Sequence, residues 1–322
     1  MRYLKVFAIL IVIVILVCAF SFLTNRHVFR EWKVALPQTD TLSWANFYWG
    51  GEELSGKYYN RVAIWIPAHI QGIPNPVKFQ FDTGVPTSEL YEKNLRSLEQ
   101  KYPAIHSSRL NSVLQFWDRR ESVKNLMLTM GNIKCTTPDC LILRDFGSDL
   151  ALRNTTDTLE LGTIGTDIFE NHLLVIDYPN QRFAICDQLP KAYQTAMVDM
   201  EYGAAKKIIV PMVYKGKKYR ITFDTGSSLF SLLVPEKKIE AFTNGPVVDT
   251  IRISSWGNVH DVTGRIMNDS FELGGKRFEN VRVYGNHTGH GIDPSSDAIT
   301  GNALFWNHIV IVDFKNKKFG IK

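Results

Sequence analysis

The apolar and polar positions of the chain form one unbroken apolar run, followed by many short segments rich in β-branched and aromatic residues. The run is Val6–Leu23, 18 residues without a charge, preceded by Arg2 and Lys5. As a helix it would be about 27 Å long, near the least that crosses a hydrocarbon core. A core helix would show a polar face, and this run has none. Cys18-Ala19-Phe20-Ser21 also suits a signal-cleavage site poorly. The expectation is an uncleaved signal anchor, with a cleaved signal as the alternative. Residues 1–5 would be a cytoplasmic tail and residues 6–23 a transmembrane helix in contact with membrane lipid. The body would then lie outside the cytoplasm, in a periplasmic, extracellular or lumenal space.

Beyond the run the pattern predicts strands. Val62–Ile70 and Ile208–Tyr214 are rich in β-formers and lead, through turns at Gly72 and Gly216, into segments that end on an aspartate. Asn125–Asn132 and Asp269–Lys276 each read as a strand running into a glycine turn. Helical candidates are few: Leu90–Lys101, and more weakly Glu236–Phe242. The fold class expected is all-β.

The chain also repeats itself. Gly165–Ile185 aligns without a gap to Gly301–Ile321, with eight identities in 21 positions. Upstream, Phe79-Gln-Phe-Asp-Thr-Gly84 pairs with Ile221-Thr-Phe-Asp-Thr-Gly226 in the same order. The duplication divides the body into residues 57–190 and 205–322, joined by 191–204. Residues 24–56 remain a stalk, a first strand or a removable segment.

Composition fits a globular protein, with 45% hydrophobic and 21% charged residues. The net charge of +5 sits mostly at the front, where the first 33 residues hold five Lys/Arg and one Glu. The body is nearly neutral, so no nucleic-acid partner is expected. Cys135 and Cys140 flank a Pro-Asp pair and would either close a short disulfide loop or stand as free thiols with Cys186. No Cys/His spacing resembles a zinc site, and neither metal nor organic cofactor is implied.

Two strands ending in Asp-Thr-Gly present two carboxylates at tight turns. If the repeats pack about a pseudo-twofold axis, Asp82 and Asp224 face each other. Carboxylates in contact cannot both ionise easily and share one proton. Thr83 and Thr225 would bond across and lock the loops, while Gly84 and Gly226 let the backbone double back. Such a pair suits hydrolysis: the ionised member takes a proton from water and the protonated one polarises a carbonyl.

On these residues the chain resembles the pepsin-like aspartic proteases, over roughly Lys57 to Lys322. The second loop, Phe223-Asp-Thr-Gly-Ser-Ser228, matches the family pattern in full. Thr163-Ile-Gly165 and Ile299-Thr-Gly301 match its later turn, each with one Thr in place of an aliphatic residue. The resemblance implies a bilobal fold with an interlobe cleft. It also implies an Asp82–Asp224 catalytic dyad supported by Thr83, Gly84, Thr225, Gly226 and Ser227. The partner would be an extended peptide or protein substrate, and a monomer is expected. Two positions depart from the family. Val85 stands where a Ser or Thr would donate to the Asp82 carboxylate. The flap segment Gln115–Glu121 has no Tyr and no Gly, which leaves Trp117 as the flap candidate, or as an ordinary core aromatic.

His172 and His308 occupy equivalent repeat positions and read as packing residues. Ser227 and Ser228 lack a nucleophile elbow, which argues against a serine hydrolase. The expected function is an aspartic endopeptidase. The alternative is a non-proteolytic protein of the same fold that binds a peptide or partner.

Overall fold

Val77–Phe81 and Lys217–Phe223 show how the pattern becomes structure. In the first, Val77, Phe79 and Phe81 are buried while Lys78 and Gln80 lie half out; in the second, Tyr219, Ile221 and Phe223 point inward. Each strand therefore ends on a core phenylalanine, and the next residue, Asp82 or Asp224, is carried just past the core edge. The computed structural model describes residues 32–36, 42–109, 120–255, 257–289 and 291–322.

The protein is all-β. Among the described residues the strands form three sheets: nine strands drawn from residues 33–164, ten from residues 201–300, and six that combine both repeats. In the first sheet Val77–Phe81 runs parallel to Leu159–Ile164, with Phe81 opposite Ile164. In the second, Lys217–Phe223 runs parallel to Ala298–Thr300, with Phe223 opposite Thr300. The aspartates inherit this arrangement, since Asp82 N–H donates to Ile164 O and Asp224 N–H to Thr300 O, both at 3.0 Å.

The six-stranded sheet relates the two copies directly. Leu173–Asp177 and Ile309–Asp313 are antiparallel neighbours, and Val175 lies opposite Ile311, its own repeat equivalent. A local twofold axis passes between them. Matching aromatic clusters stand on either side of it. Phe81 packs on Phe169 and Phe183 with ring centroids 5.7 and 5.5 Å apart, and Phe223 on Phe305 and Phe319 at 5.6 and 5.3 Å. All six rings are buried, and such pairs are worth about 0.5–1.5 kcal/mol each beyond the area they bury. They hold the strand end that carries each aspartate.

Local expectations are met with small shifts. The helix is Glu92–Lys101, beginning two residues later than the pattern predicts because Leu90 and Tyr91 belong to a strand, Glu89–Tyr91, between two neighbours. Glu236–Ala241 is a 3-10 helix. Gly216 turns with φ +73° and Gly72 with φ +85°, conformations that side chains rarely adopt. Within residues 24–56, Tyr48–Leu54 forms a hairpin with Lys57–Ile70, and Trp44–Asn46 pairs with Arg182–Cys186.

One expectation needs correction. No helix among the described residues is long and apolar enough to cross a membrane. The α-helix Glu92–Lys101 has ten residues, about 15 Å, half of what a bilayer core requires. The transmembrane segment expected at Val6–Leu23 lies outside the described residues. The structure therefore does not support the reading of a single-pass membrane protein with its body outside the cytoplasm. Of the two readings left open for the cysteines, the structure has the free thiols. Cys135 and Cys140 do not close a loop, because Ile133–Leu143 is a continuous strand paired along Glu121–Met130. Both thiols are free and buried, and burial pushes Cys135 up to about 12 and Cys140 well above its usual range. They act as small core side chains.

Candidate functional site

The two Asp-Thr-Gly loops meet along the local axis. Thr83 N–H donates to Thr225 Oγ1 at 2.8 Å, and Thr225 N–H donates to Thr83 Oγ1 at 3.0 Å. Each hydroxyl then donates onward to the other copy, Thr225 Oγ1 to Phe81 O at 2.9 Å and Thr83 Oγ1 to Phe223 O at 3.3 Å. Both threonines are fully buried. Four polar groups that would otherwise be stranded are thus satisfied across the axis, which fixes one loop against the other.

The glycines serve a need other than the expected one. Neither Gly84 nor Gly226 is in the left-handed region. What each requires is space: a Cβ at Gly84 would lie 2.5 Å from the Asp224 carboxyl carbon, and one at Gly226 would lie 2.5 Å from that of Asp82. The absent side chains leave room for the opposite carboxyl group. Each glycine also donates its own N–H at 2.8 Å to the preceding aspartate, Gly84 to Asp82 Oδ1 and Gly226 to Asp224 Oδ1.

The carboxyl groups are hydrogen-bonded to each other. Burial, then the Asp224 charge, then the bond to Asp224 push Asp82 well above the ordinary carboxylate range. Burial raises Asp224 too, but the hydrogen bond from Asp82, the positive charge of Lys207, and the N–H groups of Gly226 and Ser227 all favour its ionised form. Carboxyl groups so placed titrate as a unit and share one proton.

The dyad opens into a cleft of about 530 Å³. Gln80, Trp65 and Val85 line it on one side, and Ser227, Phe230 and His260 on the other. Tyr91 lines it as well; its hydroxyl lies 2.6 Å from Thr163 Oγ1 and its ring meets Phe146 edge-on at 4.7 Å. That bond explains the threonine at 163 in the later turn, and Thr300 is used likewise, donating to Ser231 O at 2.9 Å. The turn glycines, Gly165 and Gly301, press on the backbone of Thr87 and Ser227, so neither tolerates a side chain.

The expected site residues Asp82, Thr83, Gly84, Asp224, Thr225, Gly226 and Ser227 come together here. Trp117 lies outside the described residues. The arms beside it are Ser107–Arg109 and Glu121–Met130, antiparallel and braced at the base by Arg96, which bonds Glu99, Ser107 and Glu121. His172 and His308 stand away from the cleft lining. His172 Nδ1 is 2.7 Å from Asp187 Oδ1, and the His308 ring meets Phe278 edge-on at 5.6 Å, where burial lowers its pKa.

Sequence reading missed three contributors. One is the hairpin Asp249–Ser255/Asn258–Ile266, which lends Ile253, Ser254 and His260 to the cleft. The others are Lys207, just ahead of the strand Ile208–Tyr214, and Tyr91. The available signal was the alternation His260, Val262, Gly264 on one face of a strand, which places an imidazole among inward positions. No protein-family model matches the chain, and no curated protein matches it.

Proposed function

We propose that the chain is an aspartic endopeptidase of bilobal, pepsin-like fold, with the repeats as its lobes and the cleft between them as the peptide site. The observation that carries this reading is the meeting of the two Asp-Thr-Gly loops across a local twofold axis, where each glycine leaves room for the opposite carboxyl group at the floor of the cleft. Asp224, ionised, takes a proton from a water bound between the carboxyl groups. Asp82, protonated, donates to the scissile carbonyl oxygen as the water oxygen adds to the carbon. The tetrahedral gem-diol collapses when the leaving nitrogen receives the proton that Asp224 collected and ionised Asp82 takes back a proton from one hydroxyl, so that the C–N bond breaks, the carboxylic acid forms and the pair is restored. The Thr83–Thr225 lattice keeps the carboxyl groups aligned through both steps, and the peptide lies extended along the cleft with main-chain bonds to its walls.

The test is cleavage of an unstructured peptide library, scanned across pH and read by mass spectrometry. The protein should cut, and Asp82→Asn or Asp224→Asn should each remove activity almost wholly. The double variant should be little worse, because residues acting as a unit are non-additive. Absence of cleavage at every pH, or near-normal turnover in either variant, rejects the reading. Peptide binding without cleavage would favour the non-proteolytic alternative.

A further inference from the structure

Among the described residues, His260 is a buried imidazole without a hydrogen-bond partner. It sits on the strand Asn258–Ile266, paired opposite Ile253, while its inward neighbour Val262 pairs with Ile251. Ile251 and Val262 belong to an apolar cluster with Phe230, Leu233, Tyr284 and Ile299, and Ile253 packs against it. His260 continues that wall into the cleft, with only 9% of its surface exposed and neither ring nitrogen hydrogen-bonded. A valine or phenylalanine could fill this place without stranding polar atoms, whereas an imidazole there loses its hydration and gains nothing within the chain.

We propose that His260 is a specificity-determining residue that binds a carboxylate-bearing side chain, aspartate or glutamate, of a peptide in the cleft. This inference rests on the peptidase reading above. An imidazole can donate from a ring nitrogen, and a carboxylate offers acceptor oxygens and no competing donor. Lys207 is the one Lys or Arg among the described lining residues, and its Nζ donates to Gly291 O at 3.3 Å. It stands just ahead of Ile208–Tyr214, a strand of the sheet that carries His260, and its charge also acts on Asp82 and Asp224. The lining acids outside the Asp82–Asp224 pair, Glu52 and Glu160, come from the opposite sheet, and Glu160 is 3.6 Å from Lys78.

The test uses pairs of peptides identical except for Asp against Asn, or Glu against Gln, moved through each position around the cut. At one position the wild-type protein should cleave the acidic member about 10- to 100-fold better in kcat/KM, the worth of one hydrogen bond to a charged group. The difference should appear mainly in KM. His260→Phe should collapse the ratio to about one, and His260→Gln, which keeps a donor, should retain part of it. A ratio near one at every position, or a preference that survives both substitutions, overturns the proposal. If the wild-type protein cuts no peptide, the peptidase reading fails, and the same pairs measured for binding by fluorescence anisotropy decide the His260 question. A binding preference lost in His260→Phe supports it, and no preference overturns it.

Discussion

Tyr178 donates its buried hydroxyl to Asn302 Oδ1 at 2.7 Å, and through Asn302 it reaches the second aspartate loop. The Asn302 amide spends its donors on Thr225 O at 2.6 Å and Ser228 Oγ at 2.7 Å. A tyrosine contributed by the first repeat thus helps to hold the loop of the second. Tyr178 is fully buried, and burial raises its pKa well above the usual range, so its hydroxyl stays protonated and remains a donor. Tyr178→Phe would strand Asn302 Oδ1 in the core at a cost of about 1–3 kcal/mol. Chemical denaturation should show that loss as a lower midpoint with an unchanged slope. A variant as stable as wild type would mean that the bond contributes nothing to holding the loop.

Gly226 faces the Asp82 carboxyl group, and the requirement is room for that group. A methyl group added there meets a carboxyl carbon at 2.5 Å, closer than real contacts allow. Gly226→Ala should therefore force the carboxyl groups apart while leaving backbone conformation accessible. The expected outcome is a folded protein that has lost the bond between Asp82 and Asp224, with peptide cleavage reduced by at least about 100-fold, as misplacement of catalytic groups commonly costs. Near-normal cleavage would show that the loops can part without harm. Gly84→Ala should behave alike, since the two positions are related by the local axis.

Much of this arrangement could be read from the chain because the repeat is written in residues with geometric duties. Phe169, Phe183, Phe305 and Phe319 are identities between the copies, and they are the rings that support Phe81 and Phe223. Asp177 and Asp313 are identities as well, and each accepts from the N–H of the asparagine three residues on, Asn180 or Asn316, to close a turn. His260 and Lys207 have no counterpart in the repeat pattern. Their places in the cleft depend on how distant strands pair, which local alternation does not specify. The choice between a Cys135–Cys140 loop and free thiols stayed open for a related reason. A Pro-Asp pair suggests a turn locally, but the tertiary pairing of Thr137 with Leu126 and of Asp139 with Lys124 carries the strand straight through it.

The same buried carboxyl groups make stability depend on pH. Asp82, Asp224 and Asp167 are all raised, each chiefly by burial. For a group raised in the folded state, the contribution is complete below the unfolded value near 3.8 and is lost as pH rises through the folded pKa. These three aspartates therefore weaken the fold between mildly acidic and neutral pH. Glu92 works in the opposite sense: the Asp145 N–H and then Arg96 hold it low, so its contribution is lost on acidification. Asp82→Asn removes one ionisable member of the pair. It should be inactive yet melt higher than wild type at pH 7, by on the order of 1–3 kcal/mol, with the gap closing toward pH 4. A variant that melts lower at pH 7 would show that the shared proton stabilises the native loops more than burial of the charge opposes them.

Val85 tests how the protonation of the pair is set. It lines the cleft beside Asp82, whose carboxyl group takes a backbone N–H from Gly84, as that of Asp224 takes one from Gly226. A hydroxyl at position 85 would add a donor that favours ionised Asp82 and lower the dyad's macroscopic pKa values. Catalysis needs the singly protonated pair, which exists between those two values. Lowering the first of them extends activity toward acid, so the acid limb of the profile must move to lower pH. One hydrogen bond to a charged group supports a shift of ~1–2 pH units at most. Val85→Thr keeps the shape of the side chain and should move the limb as Val85→Ser does, whereas Val85→Ala should not. Peptide cleavage measured from pH 3 to pH 8 for the three variants separates hydroxyl from volume. If Ala shifts the limb as far as Thr, or Thr shifts it upward, the hydroxyl is not what sets the range, and the charge of the pair is tuned by Lys207 and the backbone donors instead.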